Sequence, residues 1–123
     1  FINDFRYPEG WGLNAFDVSV ILHNALRNAV ENVQITAGGT EEPYITIRSY
    51  QRRNAFMIEV RNSFCGSLRW DRETGLPATS KKRAEGHGYG LINIRRVSEK
   101  YFGDIDVEQC GGEFRLSVML MLE

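Results

Sequence analysis

From Phe114 to Leu122 every second residue is apolar (Phe114, Leu116, Val118, Leu120, Leu122), and a period of two means a strand with one buried face. Such a strand needs neighbouring strands and a layer that covers them. The neighbours are legible. Ile105 and Val107 alternate just ahead of it, and Gly111-Gly112 supplies a tight turn that joins the two as a hairpin. Further upstream, Tyr44 to Tyr50 alternates Ile45 and Ile47 against Thr46 and Arg48. Phe56 to Arg61 alternates Phe56, Ile58 and Val60 against Met57, Glu59 and Arg61, with Gln51 to Asn54 as the polar turn between them.

Two helices supply the covering layer. Val18, Leu22, Ala25, Leu26, Ala29 and Val33 recur at three- and four-residue spacing, which predicts a helix from an Asp17 N-cap to about Val33, closed by Gly38 and Gly39. Leu91, Ile94, Val97 and Tyr101 mark one side of a second helix, with Arg95, Arg96, Glu99 and Lys100 on its other sides. Gly103 is its expected left-handed C-cap. Residues 1–16 are aromatic and turn-rich and read as a short strand or arm followed by loop. Residues 63–87 lose all periodicity over more length than a simple connection needs, and read as a lid. Strands and helices in separate blocks predict an α/β two-layer sandwich, a mixed β-sheet with helices packed on one face. At 123 residues the chain is a single domain.

Composition narrows the function. Fifteen Lys and Arg against sixteen Asp and Glu leave a net charge of -1, so no basic surplus is available for nucleic acid or an anionic membrane. The apolar stretch Leu116 to Leu122 falls far short of the roughly 18 residues of a membrane span. Cys65 and Cys110, with His23 and His87 far apart, suggest neither a disulfide scaffold nor a zinc site, and a reducing cytosol is the default setting. The chain begins at Phe1 without a signal pattern, so a fragment of a longer protein is expected.

Asn24 and Asn28 lie one helical turn apart and project from one flank of the first helix. They are either two solvent-facing amides or an oxygen-ligand pair, and Mg²⁺ accepts such oxygens while keeping waters and phosphates. His23 falls on the outer face and is given no role. Gly86-His87-Gly88-Tyr89-Gly90-Leu91 stands where the lid meets the second helix. Its glycines permit close backbone approach, and the first N–H groups of a helix attract phosphate, although a flexible turn would have the same composition. Neither a P-loop nor the dinucleotide fingerprint is present. Tyr101 and Phe114 read as core aromatics, and Cys65 shows no sign of a reactive thiolate.

With these segments in order, the resemblance becomes specific. Asn24-Ala-Leu-Arg-Asn28-Ala-Val-Glu31 resembles the N box of the GHKL ATPase superfamily. Ile58-Glu-Val60-Arg-Asn62-Ser-Phe-Cys-Gly66 resembles its first glycine box, His87-Gly88-Tyr89-Gly90-Leu91 its second, and Gly112-Glu-Phe114 its last hairpin. Residues 17–122 are covered. Together with Ala78-Thr79-Ser80-Lys81, the pattern is most similar to catalytic domains of sensor histidine kinases of the peptide-quorum-sensing, LytTR-associated type.

The resemblance implies a Bergerat-type fold, a long ATP lid over 63–87, and ATP with Mg²⁺ as cofactors. It implies that Asn28 holds the metal, that Asn24 supports the phosphates, and that the backbone of Gly88, Tyr89 and Gly90, with Leu91, completes their cradle. Asn62 and Gly66 would frame adenine, and Lys81 and His87 would reach the β- or γ-phosphate. The implied partners are a phosphoacceptor and dimerisation domain of the full-length kinase, which is absent from this chain, and a response regulator of the LytTR type. The fragment itself is expected to be monomeric, free of nucleic-acid and membrane contact, and part of the cytoplasmic side of a membrane-anchored bacterial protein.

Three positions depart from the pattern: Asn62 replaces an Asp, Phe64 replaces a Gly where it would crowd the loop, and Arg27 replaces an acidic residue on the outer face. Relatives that act on water or Ser carry a Glu where Asn24 stands, a sensible general base. An imidazole nucleophile already has a lone pair and needs none, so Asn24 fits phosphoryl transfer to histidine. Two alternatives are a non-catalytic interaction module with a degraded pocket, motivated by Phe64 and Asn62, and an anti-sigma type of serine kinase, against which Asn24 speaks.

Overall fold

The alternation that closes the sequence becomes an inner strand of a five-stranded sheet. The computed structural model describes residues 1–8, 10–35, 42–65, 68–77 and 90–121. Its elements are β1 (Ile2–Asp4), α1 (Ala15–Ile35), β2 (Ile45–Arg52), β3 (Ala55–Ser63), α2 (Gly90–Lys100), β4 (Asp104–Cys110) and β5 (Glu113–Met121), and the sheet order is β1-β2-β3-β5-β4. Only β1 with β2 is parallel, so the sheet is mixed. Both helices pack against each other and on one face of the sheet, which gives the expected two-layer sandwich.

Register explains the core. Ile47 opposes Val60, which opposes Leu116, which opposes Val107, so one row of apolar side chains crosses four strands on the helix side. Ile21, Ala25 and Ala29 of α1 and Ile94 of α2 meet that face with no exposed surface. Each large side chain buried this way contributes about 1.5–3 kcal/mol. On the open face Glu59 is only 5% exposed. Burial pushes its pKa up, yet hydrogen bonds from Arg48 at 2.9 Å and Arg61 at 2.6 Å outweigh this and hold it below the ordinary glutamate value.

Several expectations are corrected. The cap of α1 is Asn14, not Asp17: Asn14 Oδ1 accepts from Phe16 N at 2.7 Å and Asp17 N at 3.3 Å. Asp17, three positions inside, turns its carboxylate to Lys100 and Tyr101 instead. Tyr101 is therefore a half-buried polar bridge as much as a core aromatic, whereas Phe114 is core. At the end of α2 the left-handed residue is Phe102 (φ 57), not Gly103. Gly103 N donates to Ser98 O at 2.9 Å and Phe102 N to Glu99 O at 3.1 Å, a Schellman closure. Glycine is needed at 103 for another reason, because a Cβ there would stand 1.7 Å from Met119 O.

The N-terminal arm and the described residues 68–77 also make contacts that their composition does not suggest. Phe5 and Trp11 of the arm pack on Phe56, with ring centroids at 6.2 and 6.0 Å. Within 63–87, Trp70 bridges to Pro77 as a small hairpin, Asp71 N donates to Leu76 O at 2.8 Å, and Leu76 is buried in the main core. The β2–β3 turn tightens to Arg53 and Asn54, with Arg52 paired to Ala55. Gly38, Gly39 and Leu122 lie outside the described residues.

Candidate functional site

Three asparagines at four-residue spacing, Asn24, Asn28 and Asn32, form a ladder of half-buried amides along α1. They flank the Ile21-Ala25-Ala29 stripe, so the same helical phase that buries the apolar face presents the amides at its edge. The Asn24 amide nitrogen donates to Val20 O at 2.8 Å. Its oxygen is thereby directed outward, and a Cβ on Gly90 would stand 3.6 Å from it. Asn24 thus faces Gly90, the first residue of α2. Asn28, one turn on, has no side-chain partner among the described residues.

Asn62 approaches the ladder from the sheet. It sits near the end of β3 on the helix-facing side, 1% exposed, between Ile45 and Phe114 in register. Its amide nitrogen donates to Ser63 O at 2.9 Å, and its oxygen faces Asn32 Nδ2 at 3.5 Å. Asn32 is a residue the sequence reading passed over, although its spacing from Asn28 repeats that of Asn28 from Asn24. The Phe64 ring is buried edge-on against Phe114 at 6.0 Å, and its N–H bonds Gly112 O at 2.8 Å. Arg27 and His23 are exposed on the outer side of α1, and Arg27 lies 3.6 Å from Glu31.

The structure therefore brings Asn24, Asn28, Asn62 and Gly90 to neighbouring elements, with Leu91 packed half-buried on the core below them. Gly66, Lys81, His87, Gly88 and Tyr89 lie outside the described residues. α2 is tied to the hairpin at 70–77 by Arg95, whose guanidinium donates to Thr74 O. A shallow depression lined by Asp4, Arg48, Glu59 and Arg61 occupies the opposite face of the sheet. There Arg48 and Arg61 both pair with Glu59.

A family of known sequences decides the assignment. Residues 13–121 match the GHKL domain. This chain belongs to that family. No curated protein matches it in sequence. Solved structures share the fold at low identity. The catalytic domain of histidine kinase ThkA superposes with a TM-score of 0.65 at 20% identity, over 89% of this chain and 69% of that one. The histidine kinase AdeS of Acinetobacter baumannii follows with 0.60 at 11% identity, over 88% and 47%. The blue-light activated histidine kinase EL346 of Erythrobacter litoralis gives 0.62 at 12% identity, over 86% and 43%. The chain is thus a GHKL ATPase domain similar in fold to histidine kinase catalytic domains. Among the described residues no helix of this GHKL domain is long and apolar enough to cross a membrane.

The side chains present suit a magnesium nucleotide. Neutral amide oxygens are hard ligands of the kind Mg²⁺ accepts when phosphates supply most of the charge. The outward-turned oxygen of Asn24 and the unengaged amide of Asn28 are such donors.

Proposed function

We propose that this GHKL domain is the ATP-binding catalytic domain of a two-component sensor histidine kinase. It would transfer the γ-phosphoryl group to a histidine on a separate dimerisation domain. The carrying observation is that Asn24 stands at the mouth of α2 with its nitrogen spent on Val20 O. A neutral acceptor there can orient phosphates and their metal but cannot strip a proton, and an imidazole nucleophile asks for no base.

In this reading Asn28 holds Mg²⁺, Asn24 supports the phosphates, and the backbone of Gly88, Tyr89 and Gly90 cradles them at the start of α2. Leu91 anchors that cradle to the core. Asn62 and Gly66 frame adenine, and Lys81 and His87 contact the outer phosphates. Bound ATP with Mg²⁺ supplies the phosphoryl group, and the chain's own residues position it and offset its charge. The partners are the phosphoacceptor domain of the full-length kinase and a response regulator of the LytTR type. The isolated domain is monomeric and belongs to the cytoplasmic side of a membrane-anchored protein.

Calorimetric titration with ADP and ATP, with and without Mg²⁺ and with GTP as control, tests the site. Adenine-nucleotide binding that Mg²⁺ strengthens for ATP, and that Asn28→Ala removes, supports it. Addition of a phosphoacceptor helix pair then tests transfer to histidine. No binding at millimolar nucleotide, or an Asn28→Ala variant with unchanged Mg²⁺ dependence, overturns the assignment.

A further inference from the structure

We infer that Asn32 is a specificity-determining residue, which with the Ser63 carbonyl fixes the orientation of the Asn62 amide and so makes the site select a 6-amino purine over a 6-oxo purine. This rests on the adenine assignment of Asn62 made above and concerns how a neutral amide achieves it.

A carboxylate offers only acceptors, so it rejects the O6 of a 6-oxo purine whichever way it turns. An amide does not have that property: one orientation presents an acceptor and the other a donor. Discrimination by Asn62 therefore needs something that holds the amide in place. Two groups do this. Its nitrogen donates to Ser63 O at 2.9 Å, and its oxygen is opposed by a donor, Asn32 Nδ2, at 3.5 Å. With Asn32 as it stands, turning the Asn62 amide over would set its oxygen against the Ser63 carbonyl and its nitrogen against the Asn32 nitrogen, which places acceptor on acceptor and donor on donor. Asn62 is 1% exposed, which makes the acceptor-on-acceptor mismatch at the Ser63 carbonyl costly, and the half-buried Asn32 adds the second.

The held oxygen retains a second lone pair, which an incoming amino group can take while the Asn32 contact stays in place. A 6-amino group finds an acceptor and a 6-oxo group finds the same acceptor, so only the first is bound. The Ser63 carbonyl is main chain and cannot be changed, whereas Asn32 can. Asn32→Asp puts an acceptor opposite Asn62, favours the turned-over amide, and exposes an N–H to O6.

The test is titration of this chain with ATP and with ITP, which differ at the purine 6-position and in the N1 proton that follows from it, at constant Mg²⁺. The parent chain is expected to prefer ATP by about a hundredfold. Asn32→Asp lowers affinity for both nucleotides through its charge, but the ATP:ITP ratio should fall below about tenfold. Asn32→Leu, which removes the opposing donor without adding charge, should give an intermediate ratio, and it reads the same property if Asn32→Asp does not fold. Asn62→Asp, an acceptor in every orientation, should keep the parent's preference. An unchanged ratio in the Asn32 variants with ATP still bound overturns this inference and leaves the adenine site standing. Failure of the parent chain to bind either nucleotide overturns both.

Discussion

Lys100 Nζ lies 2.9 and 3.0 Å from the two carboxylate oxygens of Asp17, joining the first turn of α1 to the last residue of α2 across 83 positions of sequence. The Tyr101 hydroxyl donates to the same carboxylate and accepts from Asn14 N at 3.1 Å. The Tyr101 bond, with help from Lys100, holds the Asp17 pKa below the ordinary 3.8 although burial works the other way. A carboxylate depressed on folding stabilises in full above the unfolded value, and that contribution is lost as pH falls through the folded one. Asp17→Asn should therefore cost about 2 kcal/mol in urea denaturation at pH 7, and its deficit against the parent should shrink as pH drops below 3.8. A deficit that persists unchanged into acid would show that packing, not charge, is what the clamp supplies.

Neighbouring residues at the end of α2 should respond in opposite directions to a change of one side chain. Phe102 is 71% exposed and holds φ 57, a conformation that costs an L-residue about 1–2 kcal/mol. Phe102→Gly relieves it and should raise stability by about 0.5–1 kcal/mol, after the entropy of a freer unfolded chain is subtracted. Gly103→Ala forces a methyl into the carbonyl of Met119 and should cost about 3 kcal/mol or leave the chain unfolded. Thermal melts of the two variants on either side of the parent would confirm the arrangement; two destabilised variants would refute the reading of Phe102.

The period-two runs of β2, β3 and β5 and the stripe of α1 were legible because each buries one face against a neighbour. The amide ladder was half legible: the Asn24 and Asn28 spacing could be read, but Asn32 acquires its meaning only when β3 folds Asn62 against it. Asp17 looked like a cap because its best partners, Lys100 and Tyr101, are remote in sequence, while Asn14, four residues before Val18 of the stripe, offered the same chemistry. Gly103 looked like a left-handed cap for a similar reason, since close approach to Met119 and a positive φ both call for glycine and only the fold tells them apart. The hairpin at 70–77 has no period to read, because isolated contacts, Leu76 in the core and Thr74 O under Arg95, tie it down.

The Leu76 contact makes a prediction about this hairpin. Leu76 is 6% exposed, whereas Trp70 across the same hairpin is 52% exposed. Leu76→Ala should cost about 2–3 kcal/mol, and Trp70→Ala should change stability by less than about 0.5 kcal/mol. Chemical denaturation distinguishes this from a hairpin that is independent of the core, for which neither substitution would register.

The contact between α1 and α2 can be tested through the size of one side chain. A Cβ on Gly90 would meet Asn24 Oδ1 at 3.6 Å and Asn24 O at 3.8 Å, both ordinary contacts. Gly90→Ala therefore fits without displacing Asn24, and at a helical position it should leave stability equal or a few tenths of a kcal/mol higher. Gly90→Val adds two methyls beyond the same Cβ, and these enter the space that the Asn24 oxygen faces. Magnesium-dependent ATP affinity should then survive the first substitution within about threefold and fall by about tenfold or more in the second. Circular dichroism checks that both variants fold. Equal affinities for Ala and Val at position 90 would mean that the Asn24 oxygen does not work at the mouth of α2, and its role as a phosphate support would be lost.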